Sequence, residues 1–100
     1  MIVTRWQAAN VPNKQQILDL LISEGLDPFI EEYFSKTKIN DHRHPYSEVR
    51  LVLSGEILFN IAGNQLVLRA GDRIEIPPNT RHSHNIMTND RCTCICAFKI

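Results

Sequence analysis

No apolar run in this 100-residue sequence approaches the roughly 20 residues that cross a membrane. Neither charge sign is in surplus: 11 Lys and Arg face 11 Asp and Glu. A balanced surface lacks the basic excess that phosphate contacts need, which argues against nucleic acid as the partner. It also puts little repulsion between copies of the chain. The N-terminal "MIVTRWQAAN" has no charged region followed by an apolar stretch, so no signal peptide is expected and a cytoplasmic location is. No repeat, low-complexity tract or linker divides the chain, which implies one domain. Cysteine is scarce and oddly placed. Cys92, Cys94 and Cys96 alternate in "RCTCICAF", and three so close together do not form a disulfide framework. Two readings stay open for them: small apolar fillers on one strand face, or a soft-metal or redox-sensing row.

What is present is mostly period two. "IVTRWQ" alternates as a first strand should. "VPNKQQILDLLISEG" has helical spacing, with Pro12 or Asn13 at its start and Gly25 at its end. Ile17, Leu18, Leu21 and Ile22 lie near one face of that helix, with Leu20 at the border. Beyond Gly25 come "FIEEYFSK", "TKINDHRHP", "SEVRLVLSG", "EILFNIAGNQLVLRAGD", "RIEIPPNT", "RHSHNIM" and "CTCICAFKI". The fourth of these reads as a hairpin turning on Gly63-Asn64. Short strands divided by turn signals predict an all-β sandwich or barrel. Residues 1–27 would supply a strand and a helix, and residues 28–100 the barrel.

The four histidines fall in two clusters, "HRH" at 42–44 and "HSH" at 82–84. On an extended chain His42 and His44 project to one face, about 7 Å apart. Imidazoles at that spacing can converge on one ion through bonds of about 2.1 Å. Glu48 shares their parity, and His82 would arrive from another strand. Three imidazoles and a carboxylate suit a first-row divalent metal with open positions. The ordinary alternative is four polar residues on strand ends.

The spacing also carries a resemblance. His42-x-His44-x-x-x-Glu48, followed after six residues by Gly55, matches the first cupin motif at every position. Gly71, Pro77 and His82 fit the second motif. Asn79 stands where that motif has its second glycine, and Asn85 falls one position short of its asparagine. The resemblance spans roughly residues 35 to 98 and implies a double-stranded β-helix (jelly-roll) barrel with His42, His44, Glu48 and His82 as metal ligands. The chain is also similar to acireductone dioxygenases, which carry a Glu-x-Arg pair (here Glu48 and Arg50) and an arginine-tryptophan stretch and helix ahead of the barrel. Those enzymes are longer, so this chain looks like a pared-down relative.

Further residues have two readings each. Arg50, inward by parity, would hold a substrate carboxylate or enolate, or else a salt bridge, with Glu75 as the partner considered. His84 would support the site or act as an acid or base, or else fill the barrel wall. Tyr46 and Arg81 would line the mouth or sit on the rim. Trp6 would stack on a ligand, or pack against the helix or a neighbouring subunit. Val49, Leu51 and Leu53 face outward if Glu48 faces in, and that apolar row calls for the helix or a second copy to cover it. A homodimer is expected.

The function this resemblance implies is a metal-dependent oxidoreductase, dioxygenase-like, acting on a small enediol or diketone. Iron, nickel or manganese is the expected metal, with zinc as the alternative. An isomerase on the same parts, or a metal-dependent ligand-binding module without turnover, is the other class considered. The catalytic candidates are Arg50 and His84.

Overall fold

The computed structural model describes all residues, 1–100. In chain order the elements are β1 (Ile2–Thr4), α1 (Lys14–Ser23), β2 (Phe29–Tyr33), β3 (Lys38–His42), β4 (Ser47–Ser54), β5 (Glu56–Ile61), β6 (Asn64–Arg69), β7 (Arg73–Ile76), β8 (His82–Asn85) and β9 (Cys92–Lys99). Two antiparallel sheets face each other. One has the order β1-β7-β4-β9-β2 and the other β3-β8-β5-β6. This is the all-β barrel with one helix that the strand pattern predicts, in the jelly-roll form that the resemblance implies.

Alternation decides what fills the space between the sheets. Val52, Ile57, Phe59, Ile61, Leu68, Ile74 and Ile76 meet there, together with Cys92, Cys94 and Cys96. The three thiols are free and buried, so they pack as small apolar groups. The opposite face of β4 is equally dry. Val49 and Leu51 pack with Ile95 against Ile17 and Leu21 of α1, flanked by Leu18, Leu26 and Leu53. The helix therefore takes up the outward apolar row, and no second copy is required there.

α1 starts where its chemistry says it should. The Asn13 side chain accepts from Gln16 N–H, and the Gln16 side chain accepts from Asn13 N–H, a reciprocal capping box. Gly25 follows the helix at φ 82, the left-handed exit that favours glycine. Glu24 and Arg73 then tie that end to β7 through two hydrogen bonds of 2.7 Å. Ile22, placed by spacing near the buried face, is 58% exposed, because the barrel meets a narrower stripe of the helix through Ile17 and Leu21.

Several boundaries differ from the sequence reading, and β2 and β8 are shorter than the segments that announced them. The first strand stops at Thr4, because Trp6 N–H turns away to the Asp72 carboxylate. The hairpin turns on Ala62-Gly63, not Gly63-Asn64. Both turn residues have positive φ, 49 and 86, as a two-residue primed turn requires. This register sets Ile57 opposite Leu68 and Phe59 opposite Leu66. Cross-strand apolar pairing outweighs the turn preference of asparagine.

Candidate metal centre

Strand geometry brings the two histidine clusters together. β3 pairs with β8, with Ile39 opposite His84 and His42 opposite His82. The register slips between those pairs, and that irregularity sets the two imidazoles across from each other. Their ring centroids are 4.2 Å apart. His44 follows just beyond β3, and its carbonyl accepts from Asn79 N–H at 2.6 Å. Asn79 has φ 57. It thus adopts the left-handed conformation that a glycine would provide at this place in the motif.

Glu48 is the hub. It lies on β4, only 3% exposed, with Oε1 3.4 Å from His44 Nε2 and Oε2 3.7 Å from His82 Nε2. One ligand atom from each of His42, His44, Glu48 and His82 falls within 4.8 Å of the others. The backbone fixes two of the rings. His42 Nδ1 lies 2.8 Å from the Asn40 carbonyl and His82 Nδ1 2.9 Å from the Thr80 carbonyl. A carbonyl only accepts, so each Nδ1 carries the proton and each Nε2 presents a lone pair. Tyr46 stacks on His44 with rings 6° from parallel, and Phe98 lies 5.5 Å from His44 and 4.7 Å from Tyr46. Tyr46 thus braces a candidate ligand. Arg81 is on the rim, 4.0 Å from Asp41.

The donor set fits a divalent ion. Glu48 Oε2 and His82 Nε2 are buried and have no hydrogen-bond partner, and leaving such atoms bare is costly unless something else engages them. Burial also holds His82 below the ordinary imidazole range, opposed by its carbonyl partner and by Glu48. The ring is therefore neutral near pH 7, as ligation requires. Three imidazoles and one carboxylate suit iron, nickel, manganese or zinc.

Arg50 points inward, 3% exposed. Its partner is not Glu75, which faces the Val49 side of the sheet and pairs with Lys99. Instead Nη1 donates to the Tyr33 hydroxyl at 2.9 Å and to Glu31 Oε2 at 3.3 Å. Tyr33 in turn donates to the same Glu31 oxygen. The sequence reading missed Glu31 and Tyr33. Their signal was the parity of "FIEEY", in which Phe29, Glu31 and Tyr33 share the inward face while Ile30 and Glu32 are exposed. His84, also inward, lies between Tyr33 and Phe59 at 5.2 and 5.1 Å. Burial above all, then the nearby Arg50 charge, pushes its imidazole down to about 3.

A cavity of about 520 Å³ is elsewhere. It lies between the N-terminal segment and α1, bounded by Trp6, Val11, Ile17, Leu20 and Leu51, and no titratable group lines it. Trp6 packs over Gly71 there, next to the helix.

Comparison with known proteins agrees with this geometry. A family model described as the cupin domain matches residues 30–98. The acireductone dioxygenase of Bacillus licheniformis is 28% identical over 85 residues, covering 80% of this chain and 47% of that protein. The chain thus spans about half the length of this curated relative. Among solved structures, an RmlC-like cupin from Shewanella frigidimarina superposes with a TM-score of 0.66 at 27% identity, over 73% of this chain and 64% of the other. An oxalate oxidase in complex with glycolate gives a TM-score of 0.66 at 22% identity, over 76% and 42%, a likeness of fold.

Proposed function

This chain belongs to the cupin family, and on that premise we propose that it is a divalent-metal-dependent oxidoreductase that uses dioxygen on a small enediol or diketone. The observation that carries the reading is the convergence of His42, His44, Glu48 and His82 within 4.8 Å. The distant similarity to an acireductone dioxygenase supports the choice of reaction class. A bound iron, nickel or manganese ion would supply Lewis acidity and a redox-active centre.

The chain's own residues do the rest. Asn40 and Thr80 carbonyls orient two of the rings, so the site is organised before any ion arrives. Tyr46 and Phe98 pack against His44. Phe59, Ile61 and the inward cysteines keep the interior dry, which strengthens each electrostatic contact inside.

The second reading is a ligand-binding module without turnover. It is favoured by Arg50, whose charge is already met by Glu31 and Tyr33. Elemental analysis of untagged protein, followed by oxygen-electrode assays with small enediols, separates the two. Near-stoichiometric iron, nickel or manganese with oxygen uptake supports the enzyme. Metal without uptake supports the binder. A wild-type protein that retains no more metal than His42→Ala after anaerobic loading overturns both.

A further inference from the structure

Five of the seven buried side-chain polar atoms without a hydrogen-bond partner belong to Glu48, Arg50, His82 and His84. An ion at the four-ligand cluster accounts for Glu48 Oε2 and His82 Nε2. It leaves both ring nitrogens of His84 unexplained, and Arg50 Nε with only the Glu48 carboxylate, 3.6 Å away. These atoms cluster inside the barrel against Tyr33 and Phe59. A neutral imidazole must carry one donor and one acceptor. Nothing in the folded chain meets either.

One group in this cluster differs from the rest. The Glu31 side chain is 35% exposed, whereas that of its partner Arg50 is 3% exposed. Glu31 sits on β2, an edge strand that pairs only with β9. Its carboxylate can therefore reach water, whereas the buried Arg50 cannot follow. Once it leaves, Arg50 Nη1 and the Tyr33 hydroxyl are two free donors, fixed in position and facing the same point. Burial raises the Tyr33 pKa, so its phenol stays protonated and able to donate.

We propose that Glu31 is a resident stand-in for the ligand: an anionic oxygen, carboxylate or enolate, binds to Arg50 and Tyr33 in the place its carboxylate now holds. The inference rests on the same inner site as the proposed function, and it names the ligand class as a small organic anion. Charge supports it. Glu31, Glu48 and Arg50 together leave one net negative charge. A divalent ion would reverse that sign, and departure of Glu31 would make the cluster more positive still. His84 forms the inner wall, where a ligand's polar atoms would meet its unpartnered nitrogens.

The test is a gain of affinity. Lactate is titrated calorimetrically into the full chain, with and without zinc, for wild type, Glu31→Gln and Glu32→Gln. Glu32 is the exposed neighbour on the same strand, so its variant removes an equal charge from the outer face. Glu31→Gln is expected to bind lactate about tenfold more tightly than Glu32→Gln, the worth of one charge-assisted hydrogen bond gained. Adding Tyr33→Phe to Glu31→Gln is expected to return most of that gain. Glu31→Ala serves if the glutamine remains hydrogen-bonded to Tyr33, and thermal melts confirm folding. Equal affinity in the Glu31 and Glu32 variants, or no saturable binding in any, overturns the proposal. Zinc stoichiometry, measured on the same samples, reports the metal reading separately. If zinc fails to bind while the Glu31 variant gains affinity, the metal reading falls and this one stands.

Discussion

Arg50 Nε lies 3.6 Å from Glu48 Oε2, and both side chains are 3% exposed. One buried carboxylate thus faces a guanidinium on one side and two imidazoles on the other. Its charge serves the ion site and the interior cation together, so the two cannot be altered independently.

Glu48→Gln is therefore expected to act twice. It leaves Arg50 with the half-exposed Glu31 as its sole anion, which costs about 3 kcal/mol, the low end for a broken buried pair. It also lowers metal affinity beyond the ~10–100-fold that loss of a supporting group costs. Urea denaturation reads the first effect and equilibrium dialysis against zinc the second. Unchanged metal retention would remove Glu48 from the ligand set.

Gly55→Ala and Gly63→Ala should differ although both residues have positive φ, 83 and 86. A Cβ on Gly55 would lie 2.9 Å from Cys92 Cα and closer still to the Arg91 carbonyl, whereas a Cβ on Gly63 meets nothing within 4 Å. Gly63→Ala is expected to cost about 1–2 kcal/mol from backbone strain alone. Gly55→Ala should exceed about 3 kcal/mol, because backbone must move. Urea midpoints of the two variants check the ranking.

Asp72 gives the fold an acid limit. Burial alone would raise its carboxyl, but the N–H groups of Arg69 and Trp6 and the Arg5 guanidinium more than offset that. The carboxyl is held below its ordinary 3.8. A depressed carboxyl contributes its full stability above the unfolded pKa and loses it as pH falls through the folded value. Wild type is thus expected to lose stability below about pH 4, with Asp72→Asn losing less over that window. At pH 7 the same variant should be weaker by about 1.5–3 kcal/mol, since it gives up hydrogen bonds to a charged acceptor. Denaturation curves at pH 7 and pH 3 test both signs.

The cysteines should be silent in the folded protein. All three are fully buried. Burial raises the Cys96 thiol, and Cys92 is raised first by its contact with Cys94, 3.8 Å away, and then by burial. Ellman's reagent is expected to label fewer than one thiol per native chain and three in guanidinium. Rapid native labelling would contradict the packing role.

Much of this molecule was written in local pattern. Helix limits were legible at Pro12 or Asn13 and at Gly25, because caps act over three or four residues, and the structure settled the start as a capping box on Asn13. The inward set of β4, with Glu48 and Arg50 on one face and Val49 and Leu51 on the other, followed from a period of two that any extended strand obeys. The ligand set was legible in the close spacing of His42, His44 and Glu48 and in the motif they resemble, although the chain leaves one sheet after His42 and enters the other before Glu48, so strand parity is not what brings them together.

Other features waited for the tertiary structure. Arg50 pairs with Glu31 rather than Glu75 because β2 lies beside β9, and strand neighbours across a sheet are not a local property. The hairpin turned one residue early because the opposing apolar pairs of β5 and β6 set the register. His82 reached His42 through an irregularity in β3–β8 pairing that no single strand reveals. By itself, the sequence determined which side chains face inward, since alternation is a property of one strand. Only the folded sheets decided which of those inward groups meet, since that depends on strand order and register, set by packing across the whole barrel.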